Sequence, residues 1–207
     1  MIKYVCIEGN IGVGKSSIAF KLTEELGGAF LPEEFEENPL LPLFYKEPEK
    51  FAFPVEFSFL LDRFRQQKKW NETISNGLVI SDYYFEKCLY FAKLNLTEKD
   101  YLVFEEKYTT LANEIKHPDL LVFIRLDIEL LQKNIKKRNR AYEQSIPDDY
   151  LMRLNEQYSR AINIVRKHKV LSFVLSNNEQ SSYDSLYREL KSYILNPSNN
   201  HFIEIHL

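Results

Sequence analysis

Long apolar runs are missing from this chain of 207 residues. No stretch approaches the ~20 residues that a membrane-crossing helix needs. The N-terminus enters an apolar strand pattern at once, with neither a basic leader nor a small-residue cleavage site, which predicts no signal peptide. No membrane partner and a cytoplasmic location follow as expectations. Cysteine is nearly absent. Cys6 and Cys88 are the only two, and they read as buried small hydrophobes of a reducing compartment, with a redox pair as the alternative. The four histidines, His117, His168, His201 and His206, show no metal-ligand spacing. An excess of positive charge is missing too. With 27 Lys and Arg against 30 Asp and Glu, the net charge is −3, which argues against a nucleic-acid partner held on a broad basic face. No repeat, linker or low-complexity tract is present, so the expectation is one domain over residues 1–195 with a tail over 196–207.

What is there begins with alternation. Apolar runs over Tyr4 to Ile7, Ala29 to Leu31, Leu78 to Ser81, Leu120 to Leu126 and Leu171 to Leu175 predict five buried parallel strands. Helical patterns lie between and after them: Ser16 to Leu26, Phe53 to Ser75, Tyr84 to Leu94, Lys99 to Lys116, Ile128 to Arg138, Asp148 to His168 and Ser182 to Leu195. Strands alternating with long helices predict right-handed crossovers and a doubly wound α/β sheet, whose ligands sit at the carboxyl ends of the strands. The tail, opening Asn-Pro-Ser-Asn-Asn and closing on His-Phe-Ile-Glu-Ile-His-Leu, reads as an added edge strand, a partner contact or a loose end.

Directly after the first strand stands Gly9-Asn10-Ile11-Gly12-Val13-Gly14-Lys15-Ser16-Ser17, a G-x-x-x-x-G-K-S phosphate-binding loop between strand and helix. Its glycines let successive backbone N–H groups turn inward on a polyphosphate. Lys15 brings a positive charge to the β- and γ-phosphates, and the Ser16 hydroxyl can ligate Mg²⁺. A nucleoside triphosphate with Mg²⁺ is the implied ligand.

The rest of the pattern separates a kinase from a switch. The Asn-Lys-x-Asp guanine reader of a GTPase is lacking. Late in the chain, Lys136-Lys137-Arg138-Asn139-Arg140 joins two helices. Arg138 and Arg140 could close as a lid on a transferring phosphoryl group, or the run could be a solvated surface. After the second strand, Pro32-Glu33-Glu34-Phe35-Glu36-Glu37-Asn38-Pro39 offers Glu33 as a base for an attacking hydroxyl, against the alternative of an exposed acidic turn.

From the phosphate loop to about Tyr150 the chain resembles the deoxynucleoside kinase family, the group containing deoxycytidine, deoxyguanosine and bacterial deoxyadenosine kinases. The resemblance rests on Pro32-Glu33, on Tyr45-Lys46-Glu47-Pro48-Glu49-Lys50-Phe51-Ala52-Phe53, and on Arg138-Asn139-Arg140-Ala141-Tyr142-Glu143-Gln144-Ser145-Ile146-Pro147. It implies a P-loop kinase fold, three layers α/β/α around a five-stranded parallel sheet with a short arginine-bearing lid. It also implies a homodimer that moves the γ-phosphoryl of ATP to a deoxynucleoside 5′-hydroxyl. Glu33 then matches the general base, Tyr45 and Glu143 the pair holding the sugar 3′-hydroxyl, and Arg138 and Arg140 the lid arginines. Tyr45 read by itself could equally be a core aromatic.

Three departures stand out. The family's acidic-Arg-Ser/Thr triplet reads Asp82-Tyr83-Tyr84 here. Asp82 keeps the acid, as a Mg²⁺-shell carboxylate or a helix cap, but a phenol at Tyr83 cannot replace a guanidinium fork. Lys87 and Arg63 are the candidate substitutes. Glu56 stands where relatives present a base-reading Gln. An ionised carboxylate only accepts, which suits the N1–H and 2-amino donors of guanine. Against adenine it would need protonation or neutralisation by Arg63, seven positions on; a purely structural Glu56–Arg63 pair is the alternative. Third, Glu86-Lys87-Cys88 holds no aspartate where several relatives contact the base. The leading expectation is a purine deoxynucleoside kinase of nucleotide salvage. The alternatives are a nucleoside monophosphate kinase of the thymidylate kinase type and a non-catalytic nucleotide sensor on a kinase scaffold.

Overall fold

All five apolar runs become parallel strands, and a sixth strand joins them. The computed structural model describes residues 2–34, 38–164 and 169–207. The elements are β1 (Tyr4–Gly9), α1 (Lys15–Leu26), β2 (Ala29–Leu31), α2 (Leu41–Lys46), α3 (Pro48–Asn76), β3 (Val79–Ser81), α4 (Lys87–Asn95) and α5 (Glu98–Ala112). They continue with β4 (Leu120–Arg125), α6 (Ile128–Arg138), a 3₁₀ turn (Ala141–Glu143), α7 (Asp148–Ile164), β5 (Lys169–Val174), α8 (Gln180–Leu195) and β6 (Phe202–His206). The sheet order is β2-β3-β1-β4-β5-β6, parallel at every pairing. This is the parallel α/β fold expected of a P-loop kinase, with six strands in place of five.

The sixth strand answers the question of the tail. Phe202 to His206 pairs in parallel with Val170 to Val174, and Leu207 N donates to Val174 O at 2.9 Å. Its alternation of half-buried and exposed residues is that of an edge strand. The apolar runs Tyr4 to Ile7 in β1 and Leu120 to Ile124 in β4, by contrast, are buried on both faces.

By its packing the chain divides into two compact units, each assembled from separate stretches. One comprises Met1–Pro32, Thr73–Tyr84 and His117–Leu207, the other Glu33–Glu72 and Phe85–Lys116. The first holds the whole sheet with α1, α6, α7 and α8. The second has its own core, Leu60, Phe85, Cys88, Ala92, Phe104 and Ile115, with Phe53, Phe57 and Phe64 packed against it. Each fully buried Leu or Phe there contributes about 1.5–3 kcal/mol.

Helix boundaries differ from expectation where proline and the turns intervene. Pro48 opens α3 at its first position, where a missing N–H costs nothing, and the helix runs on through Pro54. The sequence pattern predicts a start at Phe53, five residues later. The helix expected from Tyr84 starts at Lys87, because Tyr83, Tyr84 and Phe85 form a buried turn instead. Thr97 caps α5 by accepting from Asp100 N, and that helix ends at Ala112, four residues early. The short α2 was not foreseen. The expected extension of α7 to His168 lies outside the described residues.

Candidate active site

β1 is the inner strand from which the phosphate loop leaves. Its register with β3 pairs Cys6 with Ser81, so the strands' carboxyl ends emerge side by side. The loop after β1 and the acid after β3 therefore meet: the Ser16 hydroxyl donates to Asp82 Oδ2. Asp82 is only 4% exposed, and because α4 begins at Lys87 it caps no helix. A hydroxyl and a carboxylate together are hard oxygen donors of the kind Mg²⁺ takes alongside substrate phosphates. Among the described residues, no cluster of three or more His, Cys, Asp or Glu offers an all-protein metal cage.

Two glycines make the loop possible. At Gly9 a Cβ would lie 2.4 Å from the Ile124 carbonyl oxygen; at Gly12, where φ is 84°, it would lie 2.9 Å from that of Leu131. Lys15 folds back over the loop, its Nζ donating to Gly9 O at 2.9 Å and Asn10 O at 3.0 Å. The loop is braced from outside. Asn10 Nδ2 donates to Leu151 O (2.8 Å) and Asn155 Oδ1 (2.7 Å) on α7, and Asn134 Nδ2 on α6 donates to Gly12 O (2.9 Å). A cavity of about 650 Å³ opens beside the loop, bordered by Lys15, Ser16, Arg138, Arg140, Asn178 and Tyr183. It brings together the phosphate loop and both lid arginines.

Glu8 was missed from the sequence. It lies fully buried inside β1 and accepts from Gly9 N at 3.1 Å, Tyr84 N at 2.6 Å and Tyr158 OH at 2.9 Å. One carboxylate thus ties the start of the phosphate loop to the turn after Asp82. An ionisable residue inside an apolar strand, one position before the loop, was the available signal.

The segment expected to be a lid is tied up by its own side chains. Asn139 ends α6 in the left-handed conformation, φ 58°, and the chain turns back through the 3₁₀ helix. Glu143, 4% exposed, then accepts from Arg138 Nη2 and, at 3.4 Å, from Arg140 Nη1. The residue expected on a sugar hydroxyl holds the lid arginines in this arrangement. Tyr45 sits half-buried on α2, its ring 5.4 Å from that of Phe44.

Of the residues expected around the acceptor, Glu33, Tyr45, Glu56 and Arg63 belong to the second unit and Glu143 to the first. The Glu33 carboxylate, 7% exposed, lies between two cations. Its Oε1 accepts from Arg63 Nε at 3.1 Å and Nη2 at 2.6 Å, and its Oε2 from Lys87 Nζ at 2.7 Å. Arg63 Nη1 reaches Cys88 Sγ at 3.4 Å. Burial pushes the Cys88 thiol up, against the pull of Arg63. Glu34 is exposed; Glu36 and Glu37 lie outside the described residues.

Glu56 departs from expectation in its partner. The spacing suggested Arg63, but that guanidinium is occupied by Glu33 and Cys88. Glu56 instead accepts from Asn95 Nδ2 on α4 at 2.6 Å. Burial pushes its carboxyl up to about 7, with Asn95, Arg63 and Lys87 pulling the other way. Asn95 had given no sequence signal: the expected helix ends one residue before it, at Leu94, whereas α4 includes it as its last residue.

Comparison with known proteins extends over nearly the whole chain. The family model described as deoxynucleoside kinase matches residues 5–195. A deoxyguanosine kinase of Bacillus subtilis is 28% identical over 206 residues, covering 99% of this chain and 95% of the relative. A deoxyguanosine kinase of Lactobacillus johnsonii is 36% identical over 168 residues, 74% of each chain. A deoxyadenosine kinase of Lactobacillus acidophilus is 30% identical over 201 residues, 87% of this chain and 92% of that one. Among solved structures, deoxyadenosine kinase from M. mycoides with bound dATP superposes with a TM-score of 0.78 at 25% identity, covering 92% of this chain and 99% of that one.

Proposed function

The chain belongs to the deoxynucleoside kinase family, and we propose that it transfers the γ-phosphoryl group of ATP to the 5′-hydroxyl of a purine deoxynucleoside. It is a phosphotransferase with an alcohol acceptor, and membership of this family removes the thymidylate kinase alternative. Among the described residues, no helix is long and apolar enough to cross a membrane. A homodimer in the cytoplasm, without a nucleic-acid partner, completes the reading.

Each side chain has a task in that reaction. The N–H groups of Gly9 to Ser17 and the Lys15 ammonium hold the triphosphate. Ser16 and Asp82 would hold Mg²⁺, which when bound draws charge from the β- and γ-oxygens. Glu33 takes the proton of the 5′-hydroxyl as that oxygen bonds to the γ-phosphorus and the bond to the bridging oxygen of ADP breaks. The transition state is loose and its charge dispersed, so cations and positioning supply most of the acceleration. Arg138 and Arg140 supply such charge when they turn from Glu143 to the phosphates. Glu143, relieved of them, can join Tyr45 on the 3′-hydroxyl. A site built to pair with that hydroxyl discriminates against sugars lacking it.

Glu56 selects the base. With Asn95 on one oxygen, the ionised carboxylate still offers acceptors to the adjacent N1–H and 2-amino donors of guanine. Its protonated form can donate, and so tolerates adenine. Relatives carrying deoxyguanosine kinase and deoxyadenosine kinase names both support a purine acceptor.

The observation that carries the proposal is Glu33, a carboxylate withdrawn from water yet held beside two cations. Glu33→Gln tests it: kcat should fall by roughly 10²–10⁴ while ATP affinity stays within a few-fold. A loss below tenfold would mean that Glu33 is not the base.

A further inference from the structure

The family's arginine after the third strand is Tyr83 here, and that side chain is fully buried. The turn holding it is fixed by its own backbone: Ser81 Oγ donates to Tyr83 O at 2.6 Å and Tyr84 N to Glu8 Oε1 at 2.6 Å. Tyr83 is a core residue and brings no charge to the reaction. Four residues on, the first turn of α4 sends Lys87 into the second unit, where its ammonium is 8% exposed and 2.7 Å from Glu33 Oε2. Its Nζ also lies over the ring of Phe91, 5.3 Å from the centroid.

Glu33 accepts from both cations at once. Arg63 delivers two N–H groups to Oε1 and a third to Cys88, which leaves Oε2 to Lys87. A buried ammonium is costly without an anionic partner, and Glu33 supplies one.

We propose that Lys87 replaces the missing arginine, as the positioning residue that holds Glu33 ready for the 5′-hydroxyl. This rests on Glu33 being the base. While Glu33 is ionised, Lys87 fixes its second oxygen. Lys87 then stands in, four residues on, for the guanidinium that Tyr83 does not provide.

The test is steady-state kinetics on the full chain with Lys87→Met, Lys87→Arg, Glu33→Gln and the double variant Glu33→Gln/Lys87→Met. Methionine matches the length of the lysine stem, and Glu33 keeps Arg63 as an ion-pair partner. Lys87→Met should lower kcat by roughly 10²-fold with the acceptor KM and ATP Kd within about threefold, a change confined to the transition state. Lys87→Arg should restore activity to within about tenfold of wild type. The double variant should be no slower than Glu33→Gln by more than about threefold, because both changes disable the same carboxylate. A Lys87→Met enzyme within threefold of wild type, or losses that multiply in the double variant, would overturn the proposal. If Lys87→Met does not fold, a folded Lys87→Arg enzyme slower than wild type by more than about 10²-fold overturns it equally. A small effect of Glu33→Gln itself would instead strike the general-base reading, so the two failures are told apart.

Discussion

Glu56→Gln should make the protein more stable, and by an amount that grows with pH. The carboxyl is 3% exposed, and burial raises it from 4.5 to about 7 despite the bond from Asn95. An acid whose folded value is raised binds its proton more tightly folded than unfolded. Its favourable contribution is therefore complete below the unfolded value and is lost as pH rises through about 7. With those two values, the contribution lost between pH 5 and pH 8 is on the order of 2 kcal/mol. Glutamine is isosteric, neutral throughout, and keeps a carbonyl oxygen for Asn95 Nδ2. Urea unfolding of both proteins, ligand-free, followed at several pH values by circular dichroism, measures the difference directly. The advantage of the variant should be small near pH 5 and larger by about 2 kcal/mol at pH 8. An advantage independent of pH would refute the reasoning, because it would show that Glu56 does not exchange a proton on folding in this range.

The same titration should appear in catalysis. The ratio of kcat/KM for deoxyguanosine to that for deoxyadenosine should rise as pH passes about 7, where Glu56 ionises, and should stay flat in Glu56→Gln; parallel profiles in both proteins would contradict the base assignment. Gly12→Ala should cost about 1–3 kcal/mol of stability, because an L-residue there is strained. Its Cβ would also press on the Leu131 carbonyl, so the variant should weaken ATP binding, checked by titration calorimetry, with deoxynucleoside binding unchanged.

Much of the nucleotide half was legible because it is local. The phosphate loop is one contiguous motif, and the strands flanking it are apolar runs that can only be buried. Asp82 could be placed because its strand ends beside β1. The acceptor half was legible in its residue types and not in its partners. Helical spacing puts Glu56 and Arg63 on one face of α3, as read, but what each touches is decided by α4, which brings Lys87 and Cys88 to Glu33 and Arg63 and Asn95 to Glu56. That pairing is non-local and leaves no periodic trace. Pro54 disguised the start of α3, since a proline within a helix usually marks its boundary. Glu143 was assigned from resemblance, while a left-handed Asn139 and a three-residue turn direct it onto Arg138 and Arg140. β6 alternates too weakly in burial to declare its partner until β5 is beside it.

The central claim is tested most directly by initial rates of the purified protein with ATP and Mg²⁺. The acceptors are deoxyguanosine, deoxyadenosine, deoxycytidine, thymidine and their 5′-monophosphates, with product identity read by chromatography. The account predicts that purine deoxynucleosides are converted to 5′-monophosphates faster than pyrimidines, and that none of the monophosphates is an acceptor. Turnover of monophosphates alone, or binding of ATP with no acceptor phosphorylated, would contradict it.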